Sequence, residues 1–207
     1  MADIGPGQFP TDPSFETVNF RINTPTISSE TSAGKIRRVG FGHSFYTFDV
    51  KYSNLTQVKL NKVNGFVATA QGPLLSFEIV LPEISTPTAP DAATANATVT
   101  TSATISYGAR YVALSNCGAN KTILYAGDHF KFANHSKVYM ATVDITSNGS
   151  GVANLVFAGA SVTSVPSGTR VTIQNVPFTA IVLNNIQDYE MGIGGISQMT
   201  LNMREVW

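Results

Sequence analysis

The side chains that could do chemistry are few: His43, His129 and His135, the single Cys117, and 13 Asp and Glu residues spread over 207 positions. Asp128-His129 with His135 downstream is the nearest approach to a metal-ligand set. The His-x-x-x-His and Cys-x-x-Cys spacings that bring two ligands together are absent. Turn and strand-edge roles are the alternative for these histidines. Cys117, within Ser115-Asn116-Cys117-Gly118-Ala119, could act as a nucleophile only with a base from His129 or His135, and nothing in the pattern orients one. The other reading is a partly buried thiol that packs like a small apolar group. Gly34-Lys35 has neither the upstream glycine nor the following Ser/Thr of a phosphate-binding loop. Gly192-Ile193-Gly194-Gly195 lacks the dinucleotide-binding spacing and fits a bend or bulge. The carboxylates are too scattered to nominate a glycosidase-type pair. No catalytic, cofactor-binding or metal residue is therefore assigned, and no enzyme activity is expected.

The elements around these residues must be built from an unusual composition. Hydrophobic residues make up 43% of the chain, enough for a real core, but charged residues only 13%. A typical globular chain carries about 25%. A surface covered by Thr, Ser, Asn and Gly loses few ionic hydration shells when a second subunit covers it. Assembly and a simple Thr-rich β protein are equally consistent with that. The formal net charge is zero, which removes the basic footprint of a nucleic-acid binder. Lys35, Arg37 and Arg38 form the one tight basic cluster and suit a solvated turn or a subunit contact. One cysteine excludes an internal disulfide. Residues 1–7 show no basic start with an apolar run, so no signal peptide is expected, and no stretch approaches a membrane span.

Apolar residues recur at period two almost everywhere. Residues 15–23 read as a half-buried strand, 26–33 as a polar segment turned by Gly34, and 35–39 as the approach to a second strand. In Phe45-Tyr46-Thr47-Phe48-Asp49-Val50-Lys51-Tyr52, the set Tyr46, Phe48, Val50 and Tyr52 is the better core face. Residues 54–70 form the one convincing helix, capped by Ser53 or Asn54, with Leu55, Val58, Val63, Phe66 and Val67 inward and Gln71-Gly72-Pro73 as its stop. Residues 73–81 read as a further strand. The Pro/Thr/Ala stretch 86–98 reads as a linker. Short strands resume at 103–107, 110–114, 129–132, 137–145, 152–157 and 169–173, with Asn148-Gly149 as a hairpin turn. The last strand, from residue 196, puts Met199, Leu201, Met203 and Glu205 on one side and should complete the sheet begun by the N-terminal half.

Two blocks carry a resemblance. Ser32-Ala33-Gly34-Lys35-Ile36-Arg37-Arg38, the strand 45–52, the helix, and Ala70-Gln71-Gly72-Pro73-Leu74-Leu75-Ser76-Phe77 resemble the N-terminal half of tailed-bacteriophage distal tail proteins and related tail-tube and baseplate-hub proteins. Ala126-Gly127-Asp128-His129-Phe130, Val138-Tyr139-Met140-Ala141-Thr142-Val143-Asp144, Ser147-Asn148-Gly149-Ser150-Gly151-Val152-Ala153 and Pro177-Phe178-Thr179 are similar to a small β module at the C-terminal end of such proteins. Together they cover most of residues 15–205. The resemblance implies a structural virion protein. It would form a hexameric ring that joins the tail tube to the baseplate or tip, with a lumen for passing DNA. It would have no cofactor and no membrane insertion, and it would sit in the virion tail after assembly in the host cytoplasm.

The expected fold is mainly β: a β-sandwich or split-barrel, ring-forming domain with one α-helix, plus a small inserted or appended β-barrel module. The ring-forming part is expected from residues 1–85 with 186–207, a linker from 86–98, and the small module from 99–185. The arm 1–15 and the loop 24–34 are candidates for clasping neighbours by β-addition. Two other readings stand beside the ring: a tail-tube or tube-initiator protein, and a carbohydrate-binding β-sandwich using Tyr107, Tyr111 and Tyr125. For those tyrosines, core or interface positions are the favoured expectation.

Overall fold

The computed structural model describes residues 7–40, 42–184, 189–191 and 197–207. The protein is mainly β with antiparallel sheets and divides into two compact units. One unit comprises Pro10–Leu74 with Ile181–Glu205; the other comprises Met1–Phe9, Leu75–Ala180 and Val206–Trp207.

In the first unit the chain runs through β1 (Thr17–Asn23), β2 (Thr26–Glu30), β3 (Ile36–Gly40), β4 (Phe45–Leu55) and α1 (Gln57–Ala70). Strand β4 is central. It pairs β1 from Thr17↔Lys51 to Asn23↔Phe45, and on its other side it pairs the C-terminal strand, from Ser197↔Leu55 to Arg204↔Thr47. The expected closure of this sheet by the last strand is met. Period-two alternation does what it should: Tyr46, Phe48, Val50 and Tyr52 are buried, as are Met199, Leu201 and Met203 opposite them. Burying each such side chain contributes roughly 1.5–3 kcal/mol. Glu205 is buried too, its carboxylate accepting the Tyr46 backbone N–H at 3.2 Å.

Helix α1 packs on β4 through Leu60, Val63, Val67 and Ala70. This corrects the expected face and cap. Asn54 takes φ +56° within β4, so the helix begins only after Thr56, whose side chain makes no capping bond. Val58, five residues before Val63, lies on the opposite side of the helix and is 70% exposed. Gln71, in the left-handed region at φ +54°, stops the helix.

The second unit contains β5 (Phe77–Ile79), α2 (Ala92–Ala95), β6 (Thr100–Thr101), β7 (Tyr111–Ser115), β8 (Thr122–Leu124), β9 (His129–Phe132), β10 (Val138–Ala141), β11 (Ile145–Thr146), β12 (Ala153–Ala158) and β13 (Val171–Thr172). Strand β14 (Phe178–Val182) pairs β5 in this unit and runs on into the first. There, β15 (Tyr189–Met191) pairs β16 (Ser197–Glu205). The sheet order β13-β9-β10-β12-β7-β6 is nearly closed by a bridge between Thr100 and Arg170, giving a small barrel. Its core is aromatic: Phe130 stacks on Tyr139 at 5.7 Å, and Phe132 and Phe157 meet that pair edge-on.

Several strand expectations are shortened. Residues 73–81 yield only β5, and 103–107 only a bridge from Ile105 to Val165. The run 137–145 breaks into β10 and β11, because Asp144 turns aside to accept the Ala126 N–H at 2.9 Å. Asn148 does make a tight turn, bonding Val152 and Gly151. Strand β11 nevertheless pairs β8, and β12 pairs β7 and β10. The stretch 86–98, read as a linker, carries α2, and Ala89, Ala92 and Ala95 are buried in the barrel core.

Candidate assembly interface

The most conspicuous surface is the β2–β3 hairpin. The polar segment 26–33 does not read as a strand, yet β2 pairs β3 in full register from Thr26↔Gly40 to Glu30↔Ile36. The turn makes this possible. Thr31 donates its N–H to Lys35 O at 3.0 Å, Gly34 donates to Thr31 O at 2.8 Å, and Gly34 sits at φ +75°, where a Cβ would be strained.

All five residues of each strand are exposed. Ile27, Ile36 and Val39 are exposed at 59%, 62% and 64%. The register places Ile27 beside Val39 with Arg37 on one face, and Ile36 beside Glu30 with Arg38 on the other. Each face therefore offers an apolar contact and a cation. Lys35, Arg37 and Arg38 make no ion pair among the described residues. An isolated two-stranded ribbon is marginal in water.

Two further surfaces lie in the same unit. Strand β1 pairs only β4 among the described residues and stands at the edge of the sheet, with Ile22 50% exposed. The outward face of the sheet is polar and ordered in three rows: Arg21-Thr47-Arg204, Asn19-Asp49-Asn202 and Thr17-Lys51-Thr200. Arg21 pairs with Asp49, and the Arg204 guanidinium lies 4.0 Å from the centre of the Phe45 ring.

The residues singled out for chemistry are not brought together. Asp128 folds back on its own turn and accepts the Tyr125 N–H at 2.7 Å. His129 opens β9 and His135 lies in the turn beyond it, and the two make separate contacts. His129 Nδ1 donates to the Ile84 carbonyl at 3.2 Å and its ring packs edge-on to Phe178, whereas His135 Nε2 meets the Tyr139 hydroxyl at 2.8 Å beside Phe132. Burial pushes both imidazoles down to about 4. His43 lies apart, in the loop before β4. Among the described residues no group of three His, Cys, Asp or Glu side chains could hold a metal ion. Cys117 is buried, and desolvation pushes its thiol up to about 11, away from the thiolate a nucleophile needs. Gly192 to Gly195 lie outside the described residues.

Tyr107, Tyr111 and Tyr125 are exposed at 66%, 71% and 38%, so of the expected core or interface positions the core is ruled out for them. The hairpin as an exposed ribbon was missed in its first strand. The signal was the Gly34 turn between segments of equal length, with Ile27 in the first and Ile36 and Val39 in the second. No protein-family model matches the chain, and no curated protein matches it.

Proposed function

We propose that the protein is a structural assembly subunit that closes into a ring, of the kind that joins the tail tube to the baseplate or tip in tailed bacteriophages. The observation that carries this reading is the β2–β3 hairpin: two paired strands, none of whose residues is buried, with Ile27, Ile36 and Val39 each more than half exposed. Such a ribbon gains its stability when neighbouring surfaces cover it. A second copy supplies a fitting surface in the open β1 edge, where main-chain hydrogen bonds and alternate side chains are both on offer.

The resemblance of the 32–77 block to distal tail and tail-tube proteins supports a hexameric ring. Its partners would be tail-tube and hub proteins, and its place the virion tail. The three polar rows of the β1–β4–β16 face suit a wall in contact with water and passing DNA, because a neutral or mixed surface does not hold a polyanion tightly. The low share of charged residues makes covering the remaining surface inexpensive in desolvation.

Light scattering coupled to size exclusion, with negative-stain images of the peak, tests the reading. The expected result is a closed ring of about six copies of the 22.0 kDa chain. Replacing Ile27 and Val39 together by Ser should return it to single chains with unfolding unchanged. A single-chain mass at every concentration refutes ring formation, and a ring indifferent to the double substitution refutes the hairpin's part in it.

A carbohydrate-binding module is the second reading, favoured by the exposed Tyr107, Tyr111 and Tyr125. Aromatic faces open to solvent are suited to sugar stacking. Retardation in polysaccharide-containing native gels by a monomeric protein would select it.

A further inference from the structure

Residues 7–9 are held in an uncommon way. Short edge strand β5 is extended by them in parallel: Gln8 bridges Glu78, Glu78 donates its N–H to Gly7 O at 3.0 Å, and Phe9 donates its N–H to Glu78 O at 2.7 Å. All other named pairings in the described residues are antiparallel. One side chain anchors the segment: Phe9 is 3% exposed, its ring 5.5 Å from that of Phe77. Around it lies an open groove of about 420 Å³ lined by Gly7, Gln8, Ser76, Phe77, Glu78 and Thr179.

The next fixed points along the chain belong to the other unit. Pro13 is buried there, and Asp12 pairs with Lys62 of α1 at 2.8 Å. Only Pro10 and Thr11 separate the seated Phe9 from this second anchor. Pro10 holds φ near −65° and has no N–H to donate, which stiffens this short connection.

A short extended peg, one aromatic anchor, two main-chain bonds and a two-residue proline hinge are the ingredients of strand exchange. We infer that the peg formed by residues 7–9 is exchanged between copies: in the assembled ring it seats on the β5 edge of a neighbouring subunit. This rests on the ring reading above. Every contact of the seat is identical whether the peg comes from the same chain or the next. The balance is set by the hinge and by effective concentration, which a closed ring raises for the neighbour's edge. An isolated chain keeps its own peg; a ring passes it on.

The test is a cysteine pair, Gln8→Cys with Glu78→Cys, in a chain also carrying Cys117→Ser. Bridge-paired residues on adjacent strands lie about 5 Å apart at Cα, within disulfide reach. Size-exclusion fractions are oxidised and run on denaturing gels without reductant. Exchange predicts a ladder of covalent multimers from the ring fraction, and a single-chain band with an internal bridge from any monomer fraction. A ring fraction that yields only internally bridged single chains overturns the exchange and leaves the ring standing. A preparation with no ring at all overturns both. As a second measurement, Phe9→Ala should shift ring toward monomer if the peg is exchanged and leave the ring fraction unchanged if it is not.

Discussion

Lowering the pH from 7 to 5 should destabilise the barrel unit through His129. Its ring is 7% exposed, packed edge-on to Phe178, with Nδ1–H given to the Ile84 carbonyl and the buried Lys137 ammonium adding to the cost of a second positive charge. Desolvation, the largest cause, pulls its pKa from 6.5 to about 4. The folded value lies below the unfolded one, so the unfolded chain takes up the proton first. Stability is complete above pH 6.5, declines as pH falls through that value, and stops declining below about 4. Linkage over that window gives a loss of about 2 kcal/mol at pH 5 and about 3 kcal/mol near pH 4 from this one group. His135 shifts in the same direction and adds to it. Urea unfolding followed by the fluorescence of Trp207 measures the loss. That is the single tryptophan, it belongs to the barrel unit, and the Lys137 ammonium sits 4.5 Å from its ring centre. His129→Gln keeps a donor for the Ile84 carbonyl without titrating, so its stability loss between pH 7 and pH 5 should be smaller by about 2 kcal/mol. Equal losses in the two proteins would show that the buried imidazole is not the proton acceptor and would refute the argument.

Two predictions concern the helix-bearing unit. Gly65 lies inside α1 with open space where a Cβ would go, so Gly65→Ala should raise stability by about 0.5–1 kcal/mol, read as a higher urea midpoint. A lower midpoint would mean the position is covered. Leu201 is fully buried between β4 and the rest of its sheet, so Leu201→Ala should cost about 2–5 kcal/mol by the same assay, and a change under about 1 kcal/mol would contradict the packing.

What could be read from the sequence followed from how completely each element obeys one period. In β4 and β16 the alternation runs over many residues, one face buried and one wet, so strand and face were legible, as was the return of the last strand to the N-terminal sheet, though not its pairing with β4. The helix was legible, and so was part of its inward face: Val63 and Val67 are buried as expected. Leu55 belongs to β4, because Asn54 takes the left-handed conformation, and Val58, five residues before Val63, lies on the far side of the helix. The barrel core was underread at Ala89, Ala92 and Ala95, because a Pro/Thr/Ala run has the composition of a linker while small side chains can still fill the gap beside a barrel. His129 and His135 are six positions apart in sequence. His129 lies in β9 and His135 in the turn beyond it, and their separate partners, Ile84 and Phe178 for the one and Tyr139 and Phe132 for the other, could not be read from spacing.

The hairpin and the missing charges bear on each other. A chain with 13% charged residues and zero net charge has little electrostatic repulsion to keep copies apart. An exposed, regular ribbon with Ile27 and Val39 on one face and Ile36 on the other would then be an aggregation hazard, since edge strands template further pairing. Native sheets guard such edges with charges, and Lys35, Arg37, Arg38 and Glu30 sit within the ribbon in that role. Those charges resist a partner that would set further cations beside Arg37 and Arg38 and favour one that meets them with carboxylates. These charges thereby favour a complementary neighbour over indiscriminate stacking. Repetition of one such contact closes a ring where its rotation closes and extends a filament where it does not, and the ring proposed above is the closing case.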